Sequence, residues 1–101
     1  MVMSIYCFDI DDTICKTNGL DYESATPIVE RISKINKLYA ARHTIKFLTA
    51  RGSKTGIDWT EVTQFQLNKW GVKYHELQLG KPFADYYIDD KGVSDKDFDW
   101  E

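Results

Sequence analysis

The sequence predicts an α/β fold with a mainly parallel sheet, on three observations. Short apolar runs of strand length alternate with two stretches of helical periodicity, and the strand-like runs end abruptly in carboxylates, a threonine or a lysine. Parallel α/β sheets collect ligands at the C-terminal ends of their strands, so polar residues at those points carry chemical information. The 101 residues have room for one domain, 1–101, and three Trp, six Tyr and five Phe can supply its single core.

Ser4 to Phe8 reads as a first buried strand, and the segment Cys7-Phe8-Asp9-Ile10-Asp11-Asp12-Thr13-Ile14 ends it in three carboxylates and a hydroxyl. That is costly unless something cationic binds there. Asp9 at the strand end and Asp11 in the following turn could together supply a nucleophile, a proton donor and half of a hard-metal site. Ile14 to Ala25 is polar, with Asn18-Gly19 as a turn signal, and can form only a flap. Thr26-Pro27 predicts an N-cap and first helical residue, followed by Ile28, Val29, Ile32, Ile35, Leu38 and Tyr39 at helical spacing.

The second strand, Thr44 to Leu48, runs into Thr49-Ala50-Arg51-Gly52. A capping-box pattern at Asp58-Trp59-Thr60-Glu61 predicts a second helix through Val62, Phe65 and Trp70, stopping at Gly71. Val72 to Leu79 is expected as a third strand leading to Gly80-Lys81-Pro82, and Tyr86 to Asp90 as a fourth ending in Asp89 and Asp90. The six residues between Leu79 and Tyr86 span at most about 20 Å, too little for a crossover helix. The third strand is therefore expected to be shorter than its apolar run, or the fourth to run differently. Gly92 to Glu101 is acidic, either packed through Phe98 and Trp100 or frayed.

A net charge of −3 and a pI near 5.3 argue against a general binder of nucleic acid or anionic membranes. No apolar run approaches the roughly 20 residues of a membrane span, and Met1-Val2-Met3-Ser4 lacks signal-peptide features, so a soluble cytoplasmic protein is expected. Two Cys and two His without paired spacing argue against zinc. An EF-hand loop starting at Asp9 would place Ile14 and Leu20 where Gly and Glu are required. Gly52 to Gly56 lacks Walker spacing. His43 and His75 are expected to be structural.

Taken in order, the strand ends offer Asp9-x-Asp11-x-Thr13, Thr49, Lys81 and Asp89-Asp90. This resembles the haloacid dehalogenase (HAD) superfamily of phosphotransferases from Ile5 to Asp90. Thr49-Ala50-Arg51-Gly52, Trp70-Gly71 with Tyr74-His75, and Gly80-Lys81-Pro82-x-Ala84-Asp85-x-x-Ile88-Asp89-Asp90 look like the small bacterial capsule-biosynthesis phosphatases. The resemblance implies a three-layer Rossmann-like sandwich with no cap domain, since neither interval where a cap is inserted is long enough. It implies Asp9 as nucleophile, forming an aspartyl-phosphate, and Asp11 as general acid and base. It places Thr49, Ala50 and Lys81 against the transferring phosphoryl group, and Mg²⁺ at Asp9, the Asp11 carbonyl and the Asp89-Asp90 pair, with Asp90 as the direct ligand and Asp89 as its partner or a contact to Lys81, or the reverse. Arg51 could clamp a substrate phosphate or carboxylate. Asp12 falls at a variable position, as a solvated or turn-stabilising residue.

Without a cap the site should be open, or covered by another subunit of a homo-oligomer, with Asn18, Leu20, Tyr22 and Trp59 as candidates for its mouth. The leading expectation is a Mg²⁺-dependent phosphomonoester hydrolase acting on a small phosphorylated substrate, a sugar or related precursor of a surface polysaccharide. A nucleotide or polynucleotide end phosphatase is the nearest alternative, though the acidic balance and lack of a basic groove weigh against long nucleic acid. A phospho-accepting signalling module is the alternative of another class.

Overall fold

The computed structural model describes residues 2–101. In chain order it contains β1 (Ile5–Phe8), a hairpin of β2 (Cys15–Asn18) and β3 (Asp21–Pro27), α1 (Val29–Ala40), β4 (Thr44–Thr49), α2 (Thr60–Lys69) and β5 (Glu76–Leu79). β4 is the central strand of a parallel sheet ordered β1-β4-β5. Phe8 stands opposite Phe47, and Thr49 opposite Leu79. This register gathers the C-terminal ends of all three strands at one edge, with Asp9, Thr49 and Gly80-Lys81 just at or beyond them.

Alternation along β4 buries Ile45, Phe47 and Thr49 and leaves Lys46 and Leu48 half-exposed. Ile32 and Ile35 of α1 and Leu67 of α2 share one core cluster with Phe8, Ile45 and Phe47. Each fully buried Ile or Phe contributes about 1.5–3 kcal/mol relative to exposure. Ile5 and Cys7, on the opposite face of β1, are exposed. The architecture among the described residues is thus helices on one sheet face, where a three-layer sandwich was expected. The progression β1-β4-β5 explains this, because right-handed crossovers stepping in one direction put both helices on the same side.

Other expectations shift for local reasons. Pro27 closes β3 opposite Cys15 instead of opening α1, and Ile28, with no side-chain cap, precedes the helix. The Ile28 N–H donates to Ile14 O at 2.8 Å, which ties the start of α1 to the chain just ahead of β2. Asp58 Oδ1 accepts from the Thr60 amide at 2.9 Å ahead of α2, whose N-cap is Trp59. Both helices end in a Schellman arrangement: Arg42 N–H to Tyr39 O with His43 N–H to Leu38 O, and Gly71 N–H to Asn68 O with Val72 N–H to Leu67 O. Gly71 suits the left-handed position at φ +70°, whereas Arg42 occupies the equivalent one at +74°.

The third strand is shorter than its apolar run, as anticipated. The fourth is not formed: Pro82 to Lys91 is exposed throughout and carries no strand. The six residues between Leu79 and Tyr86 are too few for a regular crossover back to a parallel partner. The C-terminal residues are packed. Phe98 meets the rings of Tyr6 and Phe8, Trp100 packs on Phe8, and Arg31 stacks over Trp100 while pairing with Asp95 at 2.8 Å. No helix is long and apolar enough to cross a membrane among the described residues.

Candidate active site

The end of β1 delivers two carboxylates into different surroundings. Asp9 keeps its side chain 37% exposed, with Lys81 Nζ 4.0 Å from Oδ2. Lys81 reaches it because its backbone N–H donates to Thr49 O at 3.1 Å, bringing the chain back across the end of β4. Gly80, at φ +95°, makes that turn in a conformation that side chains resist. Ser53 Oγ donates to Lys81 O at 2.7 Å, and the Tyr87 ring flanks the ammonium at 4.3 Å. Burial raises the Asp9 pKa above the ordinary 3.8; Lys81 and the Ile10 amide oppose this, and Asp11 and Asp12 add to it.

Asp11 is enclosed by comparison. Arg51 Nε donates to its Oδ2 at 3.0 Å and Nη2 to its Oδ1 at 2.9 Å, a bidentate pair. Oδ1 also accepts from Thr17 Oγ1 at 2.5 Å and, more weakly, from Cys15 Sγ at 3.7 Å. The Cys15 thiol is pushed up to about 11, chiefly by burial, which makes it inert as a nucleophile at neutral pH. Asp12 stabilises the turn, its Oδ1 accepting from the Thr17 amide at 3.3 Å from a backbone at φ +60°.

Arg51 itself corrects an expectation. Its guanidinium is fully buried, and Nη1 is occupied by Thr63 Oγ1 at 3.1 Å and Gln66 Oε1 at 2.6 Å. It also stacks on Tyr22, 4.9 Å from the ring centroid. A side chain so enclosed is not available to clamp a substrate. α2 buries Thr63, Gln66 and Leu67, whereas Phe65 is 66% exposed. A buried guanidinium requires acceptors, and that requirement outranks the apolar face. Thr63 and Gln66 share the buried side of α2 with Leu67, but nothing in the sequence marks them as acceptors for Arg51.

Thr49 sits at the end of β4 as expected but is fully buried, its Oγ1 accepting from the Arg51 amide at 3.2 Å. Ala50 follows it in the turn and accepts the Ser53 amide at 2.9 Å. Asp89 and Asp90 do not join Asp9 and Asp11 in a group of three or more candidate ligands among the described residues. Asp89 lies exposed, its carboxylate capping the amides of Lys91 and Gly92, which hold its pKa below the usual value. Among the described residues no three His, Cys, Asp or Glu side chains converge as metal ligands. Of the expected mouth residues, Tyr22 is buried against Trp59, with ring centroids 4.9 Å apart, and Leu20 is exposed at the hairpin tip. His43 and His75 are structural, their Nδ1 atoms accepting from the amides of Ser4 and Ile45 at 3.0 Å.

A shallow cavity of about 170 Å³ is lined by Arg51, Gly52, Ser53, Ile57, Asp58, Leu79 and Gly80. That is below the range of about 300–1,000 Å³ typical of enclosed small-molecule sites.

No protein-family model and no curated protein matches the chain. A solved structure from Vibrio cholerae, described as a structural-genomics target, superposes with a TM-score of 0.81 at 27% sequence identity, over 93% of this chain and 85% of that one. The chain therefore shares a small α/β fold with that bacterial protein over nearly its whole length.

Proposed function

We propose that this chain is a capless HAD-type phosphomonoester hydrolase with Asp9 as its nucleophile. The observation that carries the proposal is the partly exposed Asp9 carboxylate at the strand edge, facing the Lys81 ammonium, with a second carboxylate two residues on. An Asp9 oxygen attacks phosphorus as the bond to the leaving oxygen breaks. Lys81 offsets the charge on the phosphoryl oxygens. Asp11 delivers a proton to the departing alkoxide, and then takes one from the water that attacks the aspartyl-phosphate and releases inorganic phosphate.

Mg²⁺ belongs to the proposal through its donor chemistry. The oxygens of Asp9 and the Asp11 carbonyl suit a hard cation, whereas Asp89 and Asp90 do not complete a group of three or more candidate ligands with them among the described residues. When bound, the cation would neutralise the repulsion between the Asp9 carboxylate and a phosphate dianion.

With no interval long enough for a cap, the leaving-group side stays open, which suits a substrate bulkier than the phosphate it presents. The resemblance to capsule-biosynthesis phosphatases extends the proposal to a phosphorylated sugar or related precursor of a surface polysaccharide, handled in the cytoplasm.

Phosphate release from sugar, glycerol, nucleotide and aryl phosphates, with Mg²⁺ or EDTA, tests this. Mg²⁺-dependent release that Asp9→Asn abolishes is expected, with sugar phosphates ranked first. Nucleotides ranked first would move the substrate class, and a stable protein adduct without turnover would favour a phospho-accepting module.

A further inference from the structure

The geometry points to Arg51 as a positioning residue that holds the Asp11 carboxylate in one orientation and fastens the β2–β3 hairpin beside the strand ends. The inference deepens the proposed phosphatase reading and rests on it for the proton-transfer role. A carboxylate offers about four lone-pair positions. On Asp11, Oδ1 accepts from Arg51 Nη2, Thr17 Oγ1 and Cys15 Sγ, whereas Oδ2 accepts from Arg51 Nε alone. Oδ2 therefore carries fewer contacts than Oδ1, and the guanidinium fork fixes which oxygen that is.

The same guanidinium reaches two further elements of the fold. Nη1 binds Thr63 and Gln66 on α2, the ring of Tyr22 on β3 lies against its plane, and Gln66 Nε2 donates to Tyr22 O at 2.6 Å. Thr17 on β2 meets the opposite side of the network through Asp11. Hairpin, helix and acid–base carboxylate are thus joined through one buried cation. Its planar fork is what makes the junction, and a lysine ammonium cannot reproduce it. Gln66 holds the fork without touching Asp11, so disturbing it reaches the carboxylate only through Arg51.

The test uses Arg51→Lys and the milder Gln66→Met, with two readouts. Hydrogen exchange follows the hairpin amides, residues 15–27, against the β1–β4 ladder. Steady-state kinetics compare an activated aryl phosphate, whose phenolate leaves without protonation, with an alkyl phosphate, whose alkoxide requires it. The expected result is faster exchange in the hairpin with the ladder unchanged. It includes a fall in kcat at least about tenfold greater on the alkyl than on the aryl ester, with KM little moved. Equal losses on both esters, or hairpin protection unchanged in both variants, would overturn the inference. If the wild-type protein hydrolyses neither ester, the phosphatase reading fails separately. Hairpin protection then decides the positioning role: its loss supports the Arg51 junction, and its retention overturns it.

Discussion

Asp9 and Asp11 lie two residues apart and each faces a cation, yet the two pairs differ in nearly every physical respect. Asp9 and Lys81 stand at 4.0 Å with both side chains partly in water, whereas Asp11 and Arg51 form a bidentate pair with the guanidinium fully buried. Exposed ion pairs contribute little to stability, and removing one partner of a buried pair is severe because the other is left without compensation. The fold thus invests its packing in the second carboxylate and leaves the first free to meet a ligand. That division of labour is what a nucleophile beside a held acid–base group requires.

The largest expected effect falls on chemistry. Asp9→Asn should lower phosphate release by at least about 10³-fold without loss of folding; measurable turnover near wild type would remove Asp9 from the centre of the account. Next comes stability at the enclosed pair. Arg51→Ala should cost about 3–5 kcal/mol in denaturant unfolding, because Asp11, Thr63 and Gln66 all lose their partner. Lys81→Ala should cost less than about 1 kcal/mol in the same measurement while reducing kcat/KM by about 10²-fold. Similar stability losses at both positions would erase the contrast.

Smaller effects sharpen it. Arg42, in the left-handed position at the end of α1, should yield up to about 1 kcal/mol of stability when replaced by Gly, with kinetics unchanged because the site lies at the other end of β4. The pH dependence of Asp9 has a definite sign. Its folded pKa is raised above 3.8, so the stability its proton contributes is present below that value and lost as pH rises through the raised one. Asp9→Asn should therefore be at least as stable as wild type at neutral pH, by less than about 1 kcal/mol given the exposure of the carboxylate. The difference should vanish under more acid conditions. A less stable variant at neutral pH would mean that the Lys81 contact outweighs burial.

The sequence made the exposed pair more legible than the enclosed one. Asp9 and Lys81 follow apolar runs whose strands form, and parallel register then brings their ends together. The helix of Ile32 and Ile35 was legible from periodicity for the same reason. Arg51 was not, because its burial depends on Thr63, Gln66 and Tyr22, which are distant in sequence and unremarkable alone. The hairpin carries Lys16, Glu23 and Thr26 with little apolar alternation, so its pairing left no periodic trace. Tyr86 to Asp90 has strand composition without a strand, since local propensity cannot supply the crossover that a parallel neighbour needs.

The most direct test of the central claim is to quench the protein in acid during turnover of a phosphate ester and locate any phosphoryl adduct by peptide mass spectrometry. The account predicts an acid-trapped phosphoryl group on the peptide containing Asp9, assigned to that residue and absent in Asp9→Asn. Turnover with the phosphoryl group on another residue, or with Asp9→Asn trapping it equally well, would contradict the account.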